Sequence, residues 1–168
     1  MGDPEEGSFN YTGWTITQDS GGIVVSQEKF AESVDLMEVR ELHGMKEDEI
    51  LGGSHQTRVR KAVGQALWHT RATRPDLSAA LCEVASKMGR ATVADYRRMA
   101  RIIKKLKAGN ESGIRYGDAG PVEEWMILAF GDAAFGKLAG KSMGGRVIFV
   151  VGQNGGCFPV EWGTAVIK

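Results

Sequence analysis

Five basic residues fall in one nine-residue window: Arg97, Arg98, Arg101, Lys104 and Lys105. At about 100 degrees per residue their spacing sets all five within an arc of about 120 degrees on a helix. Tyr96, Met99, Ile103 and Leu106 fall on the other side, in an arc of about 80 degrees. The chemistry this pattern suits is phosphate contact, with one stripe free for solvent and the other in a core. Other reactive side chains are less well arranged. His43, His55 and His69 lie on different segments with no Cys or carboxylate at ligand spacing, so metal binding is not expected of them. Gly131-x-x-x-x-Gly136-Lys137-Leu138 imitates the opening of a phosphate loop, but Leu138 stands where a Ser or Thr would meet magnesium. Ser142 has no evident base. Cys82 and Cys157 are 75 residues apart and read as buried small hydrophobes.

The basic helix needs a scaffold, and the residues before it supply one. In Thr73-Arg74-Pro75-Asp76, Pro75 suits the first helical position and Asp76 the first turn. Leu77, Leu81, Val84 and Met88 follow at helical spacing, with Gly89 as a cap. Thr92 and Asp95 form a capping box that opens the basic helix, and Gly109 closes it. Upstream, residues 58–69 are expected to be helical, with Val59, Val63, Ala66 and Leu67 inward. Residues 9–17 read as a strand, Asp19-Ser20-Gly21-Gly22 as a turn and residues 23–25 as its return. Ser26 can cap a helix to about residue 39, and the acidic stretch 41–49 reads as a linker or surface loop. A short strand is expected at 114–116. Strands are then expected at 125–130, ending at Gly131-Asp132, at 146–151 and at 157–162, with turns at 140–145 and 153–156. Pro159 makes the last an edge.

Length and charge bound the possibilities. The 168 residues, 42% of them hydrophobic and 25% charged, suit a globular protein with one real core or two small subdomains. No apolar run approaches a membrane helix, and residues 1–7 carry no secretory h-region, so an intracellular, reducing location is expected. The zero net charge conceals a segregation. Residues 1–53 carry 12 acids and 3 bases, whereas residues 54–115 carry 14 bases and 4 acids. The second segment has the footprint of a phosphate-binding surface.

Taken together, these stretches resemble the Pol polyprotein of copia-type LTR retrotransposons. The resemblance runs through Tyr11-Thr12-Gly13-Trp14, residues 22–31 with Ser26-Gln27, Thr73-Arg74-Pro75-Asp76, the helix at 96–107, Gly131-Asp132-Ala133 and Lys141-Ser142, in the family's order. It covers roughly residues 9–162 and is poor over 41–56. It implies an α+β fold in three blocks. Residues 1–40 would be a palm-end hairpin with its helix, 57–110 three thumb-like or connecting helices after an acidic linker at 41–56, and 111–168 the opening three-stranded meander of an RNase H-like fold, cut short. It further implies that Thr12, Gly13 and Trp14 lie near a primer terminus and that Asp132 is the first RNase H carboxylate. The basic helix would track an RNA–DNA hybrid or duplex without reading its sequence.

The departures from the family shape the functional expectation. Polymerisation uses carboxylates on a YxDD hairpin, which does not occur here. RNase H chemistry gathers several carboxylates around magnesium, and Asp132 has no companion in its motif: the family's DADW is Asp132-Ala133-Ala134-Phe135. Asp132 would then be an orphan of an incomplete metal site. The expectation is a catalytically inactive fragment that needs no cofactor, binds nucleic acid weakly, touches no membrane and has the rest of a Pol polyprotein as its further partner. Two alternatives stand beside it: an RNase H or polymerase part active once completed by that polyprotein, and an interaction module whose acidic and basic segments pair with each other.

Overall fold

A computed structural model describes residues 7–35, 37–109, 113–138 and 141–167. The fold is mixed α+β, with two antiparallel sheets and four α-helices among the described residues. The first sheet has the order β1 (Ser8–Tyr11), β2 (Trp14–Asp19), β3 (Gly22–Ser26) and β4 (Ile114–Tyr116). The second is a meander of β5 (Met126–Leu138), β6 (Lys141–Val151) and β7 (Cys157–Ile167). Between them in sequence lie α1 (Glu28–Ser33), α2 (Gly53–Ala72), α3 (Ser78–Ala85) and α4 (Val93–Ala108).

The single strand expected over 9–17 is two strands. Thr12 and Gly13 both take positive φ, 47° and 87°, and turn β1 back on β2 with Tyr11 opposite Trp14. Two successive left-handed residues match the twist of a tight hairpin, which outweighs the cost of placing a β-branched threonine there. The second hairpin forms as expected, with Asp19 opposite Gly22. Its anchor comes from far away: both terminal nitrogens of Arg115 on β4 donate to the Asp19 carboxylate, at 2.8 and 2.9 Å. That contact holds the Asp19 carboxyl down at about 2. The strand at 114–116 therefore completes the first sheet instead of beginning the second.

The helix expected from Ser26 to about residue 39 is shorter. Gln27 stands at its N-cap, and the helix ends at Ser33 as Val34 turns extended and buries its side chain. Gln27 is itself buried and accepts a hydrogen bond from Thr73 Oγ1 at 2.9 Å, joining two of the motif stretches. On α2, Val59, Val63 and Ala66 are buried, but Leu67 is exposed, one position off the inward stripe. Pro75 opens a 3-10 turn (Pro75–Leu77) that leads into α3. Helix α3 stops at Ala85, before Gly89, and α2 captures the chain beyond it: Gln56 Nε2 donates to Met88 O at 2.6 Å.

Most of the core lies among the helices. Leu81 and Val84 of α3 meet Tyr96, Met99, Ile103 and Leu106 of α4, all fully buried. Burial of each large side chain contributes about 1.5–3 kcal/mol. The acidic stretch is a loop, as expected, but it is docked onto this core and does not act as a spacer. Leu42 and Leu51 are buried, and the first amides of α4, Val93 and Ala94, donate to Glu49 O and Glu47 O at 3.0 Å.

In the second sheet the strands overrun their expected ends. Asp132 is paired with Gly145 in mid-strand, and Gly144 and Gly145 belong to β6, not to a turn. Two long neighbours that can satisfy each other's backbone groups continue pairing past a sequence-level break. Strand β7 is an edge, and the register shifts where Pro159 meets Phe149. The sheet docks through β7. Trp162 Nε1 donates to Thr70 O on α2 at 2.5 Å, and Phe158 lies edge-on to Tyr116 of β4. The hairpin between β6 and β7 abuts the 117–120 loop so closely that a Cβ at Gly152 would fall 1.8 Å from Ala119 O.

Candidate nucleic-acid interface

Helix α4 is built from its cap outward. Asp95 Oδ2 accepts from Thr92 N and Thr92 Oγ1, each at 3.0 Å, and Lys87 meets the other oxygen at 3.0 Å. These contacts lower the Asp95 carboxyl against the opposing effect of its burial. At the far end Arg74 holds the helix by carbonyls of its last turn, one of which, Lys105 O, also accepts from Gly109 N. Its Nη1 donates to Lys105 O at 3.2 Å and Leu106 O at 3.0 Å, while Nε and Nη2 grip Asp76. Gly109 leaves room for this guanidinium, since a Cβ there would lie 2.8 Å from Nη1. Sequence spacing marked Pro75 and Asp76 as a helix start; that Arg74 secures a different helix depends on the fold.

The five basic residues divide into two groups. Arg97 is bound to Glu47 and Leu42 O, and Arg98 is bound to Glu83, so neither belongs to a free cationic stripe. Arg101, Lys104 and Lys105 are exposed and form no ion pair among the described residues. Of the five cations expected on one free stripe, three are therefore without a carboxylate partner among the described residues, and two are paired. Glu83 of the neighbouring α3 takes Arg98, and the acidic first third, which folds back onto the basic segment, takes Arg97. Glu41 takes Arg58 and His55, Asp35 takes Lys61, and Glu47 takes Arg97.

A groove of about 390 Å3 runs between α3 and α4. Arg98, Arg101, Lys105 and Lys87 line it together with Asp76 and Asp95, whose carboxylates already hold Arg74 and Lys87. The unpaired cations therefore set its sign. Chemically it can take phosphate oxygens at one edge, and it offers no set of convergent groups for reading bases.

Thr12, Gly13 and Trp14 do not line this groove. Their turn lies against α2, with the Trp14 and Trp68 ring centroids 6.1 Å apart. Asp132 lies elsewhere again, exposed on β5, where its Oδ1 accepts from Ala133 N at 2.8 Å. Among the described residues no three His, Cys, Asp or Glu side chains are grouped to hold a metal ion. Asp132 by itself does not fit the magnesium site that the resemblance implies, which needs about six oxygen ligands. Gly131 is paired within β5, and Gly136, at φ 69°, lies in an irregularity of the same strand between Ala134 and Leu138; the next described element is β6 and not the helix that a phosphate loop opens.

Of the histidines, His55 reaches Glu41 at 3.1 Å, whereas His69 is buried beside Phe30. Burial, with Arg74 nearby, pulls the His69 ring down to about 4. Cys82 is half-buried on α3. Cys157 is exposed, contrary to its reading as a buried hydrophobe, because it opens an edge strand. No described helix is long and apolar enough to cross a membrane. Comparison with models of known protein families gives no match to this chain, and neither does comparison with curated proteins.

Proposed function

We propose that this chain is a segment of a copia-type LTR retrotransposon Pol polyprotein, spanning the end of a reverse-transcriptase palm, thumb-like helices and the opening of an RNase H-like sheet. Its own capacity in this reading is weak, non-specific binding of a duplex or RNA–DNA hybrid through phosphates. The observation that carries the proposal is the cationic groove between α3 and α4, with Arg101, Lys104 and Lys105 exposed on a helix fixed at both ends. The ordered resemblances along the sequence support the family. The isolated position of Asp132 supports an inactive segment, and an intracellular setting belongs to the same reading.

Duplex binding should be micromolar or weaker near physiological salt, with a log–log salt slope of roughly −3 for three phosphate contacts. Replacing Arg101, Lys104 and Lys105 together by Glu should abolish it for all sequences alike while preserving the helical circular dichroism. Unchanged binding in that variant overturns the proposal.

One alternative retains support from a specific feature. The outer edge of β5 is unpaired among the described residues, and Ile127, Leu128 and Phe130 on successive faces are exposed. Such a strand suits a sheet completed by further chain, in which Asp132 would gain companion carboxylates and magnesium. Magnesium-dependent cleavage of a hybrid by this chain, lost in Asp132→Asn, would favour that enzyme over the inactive segment. The intramolecular acid–base pairs give the interaction-module reading its own support, and absence of salt-dependent duplex binding would favour it.

A further inference from the structure

A second cleft, of about 530 Å3, separates α2 and α3 from β6 and β7. Helix α3 is a shared wall. Ala80 faces the groove described above, whereas Ser78 and Cys82 line this cleft, four residues apart on one helix face. No carboxylate lines it, although each of four other clefts includes at least one Asp or Glu. Two guanidiniums do line it. Arg71 is exposed and forms no ion pair among the described residues. Arg146 directs Nε and Nη2 at one oxygen of Glu161, at 2.9 and 2.6 Å. Its Nη1 makes no hydrogen bond among the described residues and lies 3.7 Å from where a Cβ at Gly163 would stand, beside the cleft wall.

The remaining wall is aromatic. Trp162 lines the cleft with its ring position fixed, because its indole N–H is held by Thr70 O. Arg71, unpaired among the described residues, with the open Nη1 of Arg146 as a further donor, suits phosphate oxygens; a fixed indole suits a flat ring, and the volume is that of a small-molecule site. We propose that this cleft binds a nucleotide unit, with the phosphate on Arg71 and the open Nη1 of Arg146 and the base against Trp162. The unit is either a free mononucleotide or one member of a single strand. The site does not depend on duplex binding by α4.

Cys82 reports on the cleft and exposed Cys157, outside its lining, is the internal control. Iodoacetamide labelling of the full chain, followed by mass spectrometry, should be slowed at Cys82 but not at Cys157 by adenosine 5′-monophosphate at about millimolar concentration. Inorganic phosphate at the same concentration should protect far less. Arg71→Gln should raise the nucleotide concentration needed by about tenfold, since it removes one charged contact from an exposed side chain. Joint replacement of Arg101, Lys104 and Lys105 by Glu should leave protection intact. Better protection by a short single-stranded oligonucleotide, per nucleotide, identifies a strand; better protection by the mononucleotide identifies a free ligand, and both support the site. Equal slowing at both cysteines, protection by phosphate as strong as by nucleotide, or indifference to Arg71→Gln overturns it. So does loss of protection in the α4 variant.

Discussion

Arg97 on α4 is held by the carboxylate of Glu47, fifty residues earlier in the chain, while its other terminal nitrogen donates to Leu42 O at 3.3 Å. The cation nearest the start of the basic stripe is thus occupied by the protein's own acidic loop. The first prediction follows from this contact. Glu47→Gln should release Arg97 toward solvent, tighten duplex binding and steepen the log–log salt slope by about one unit. The pair is partly exposed, so stability should change by no more than about 1 kcal/mol. Fluorescence anisotropy over a salt series reads both binding effects, and an unaltered slope would show that Arg97 does not reach the duplex.

The cap of α4 should be unequal in its two halves. Asp95 accepts two hydrogen bonds from Thr92 and an ion pair from Lys87, whereas the return bond from Asp95 N to Thr92 Oγ1 is 3.5 Å long. Thr92→Ala should therefore cost about 1 kcal/mol or less, and Asp95→Ala about 2 kcal/mol because donors around it lose their partner. Urea unfolding at neutral pH orders the two. A larger loss in Thr92→Ala would reverse this assignment.

His69 should give the fold an acid-sensitive step. Its ring titrates near 4 when folded and near 6.5 when unfolded, so the unfolded chain takes up the extra proton first as pH falls. Its neutral form's contribution is fully present above about pH 6.5, is lost as pH falls toward 4 and changes little further below that. The total is about 3 kcal/mol for a shift of this size. Stability measured from pH 7 to 4 should fall with a slope reduced by about one proton in His69→Gln. An identical slope in both proteins would show that other groups govern the acid limb.

Strand β5 should drive association. Ile127 is 65% exposed and Phe130 58%, on opposite faces of an edge strand, and Trp125 and Leu128 are exposed beside them. Exposed apolar edges template pairing with other chains. The purified chain should therefore self-associate in sedimentation velocity runs, and Ile127→Lys with Phe130→Lys should shift it toward monomer. A monodisperse monomer before mutation would contradict this expectation.

What the sequence determined by itself is local. The period of Tyr96, Met99, Ile103 and Leu106 specifies the buried stripe of α4, Thr92 and Asp95 its beginning, and Gly109 its end, because each is a matter of residues within a few positions of one another. The hairpin at Ser20-Gly21 and the order of the three late strands were legible for the same reason. Tertiary structure decided which groups meet. Thr12-Gly13 divides an apparent strand because β1 finds its partner in β2, and Asp132 sits in mid-strand because β6 offers pairing beyond it. Segregation of charge along the chain carried the signal that acids could meet bases. It could not say that Glu47 would take Arg97 and leave Arg101, Lys104 and Lys105 exposed, since a helix repeat fixes which side a residue faces but not what folds over it.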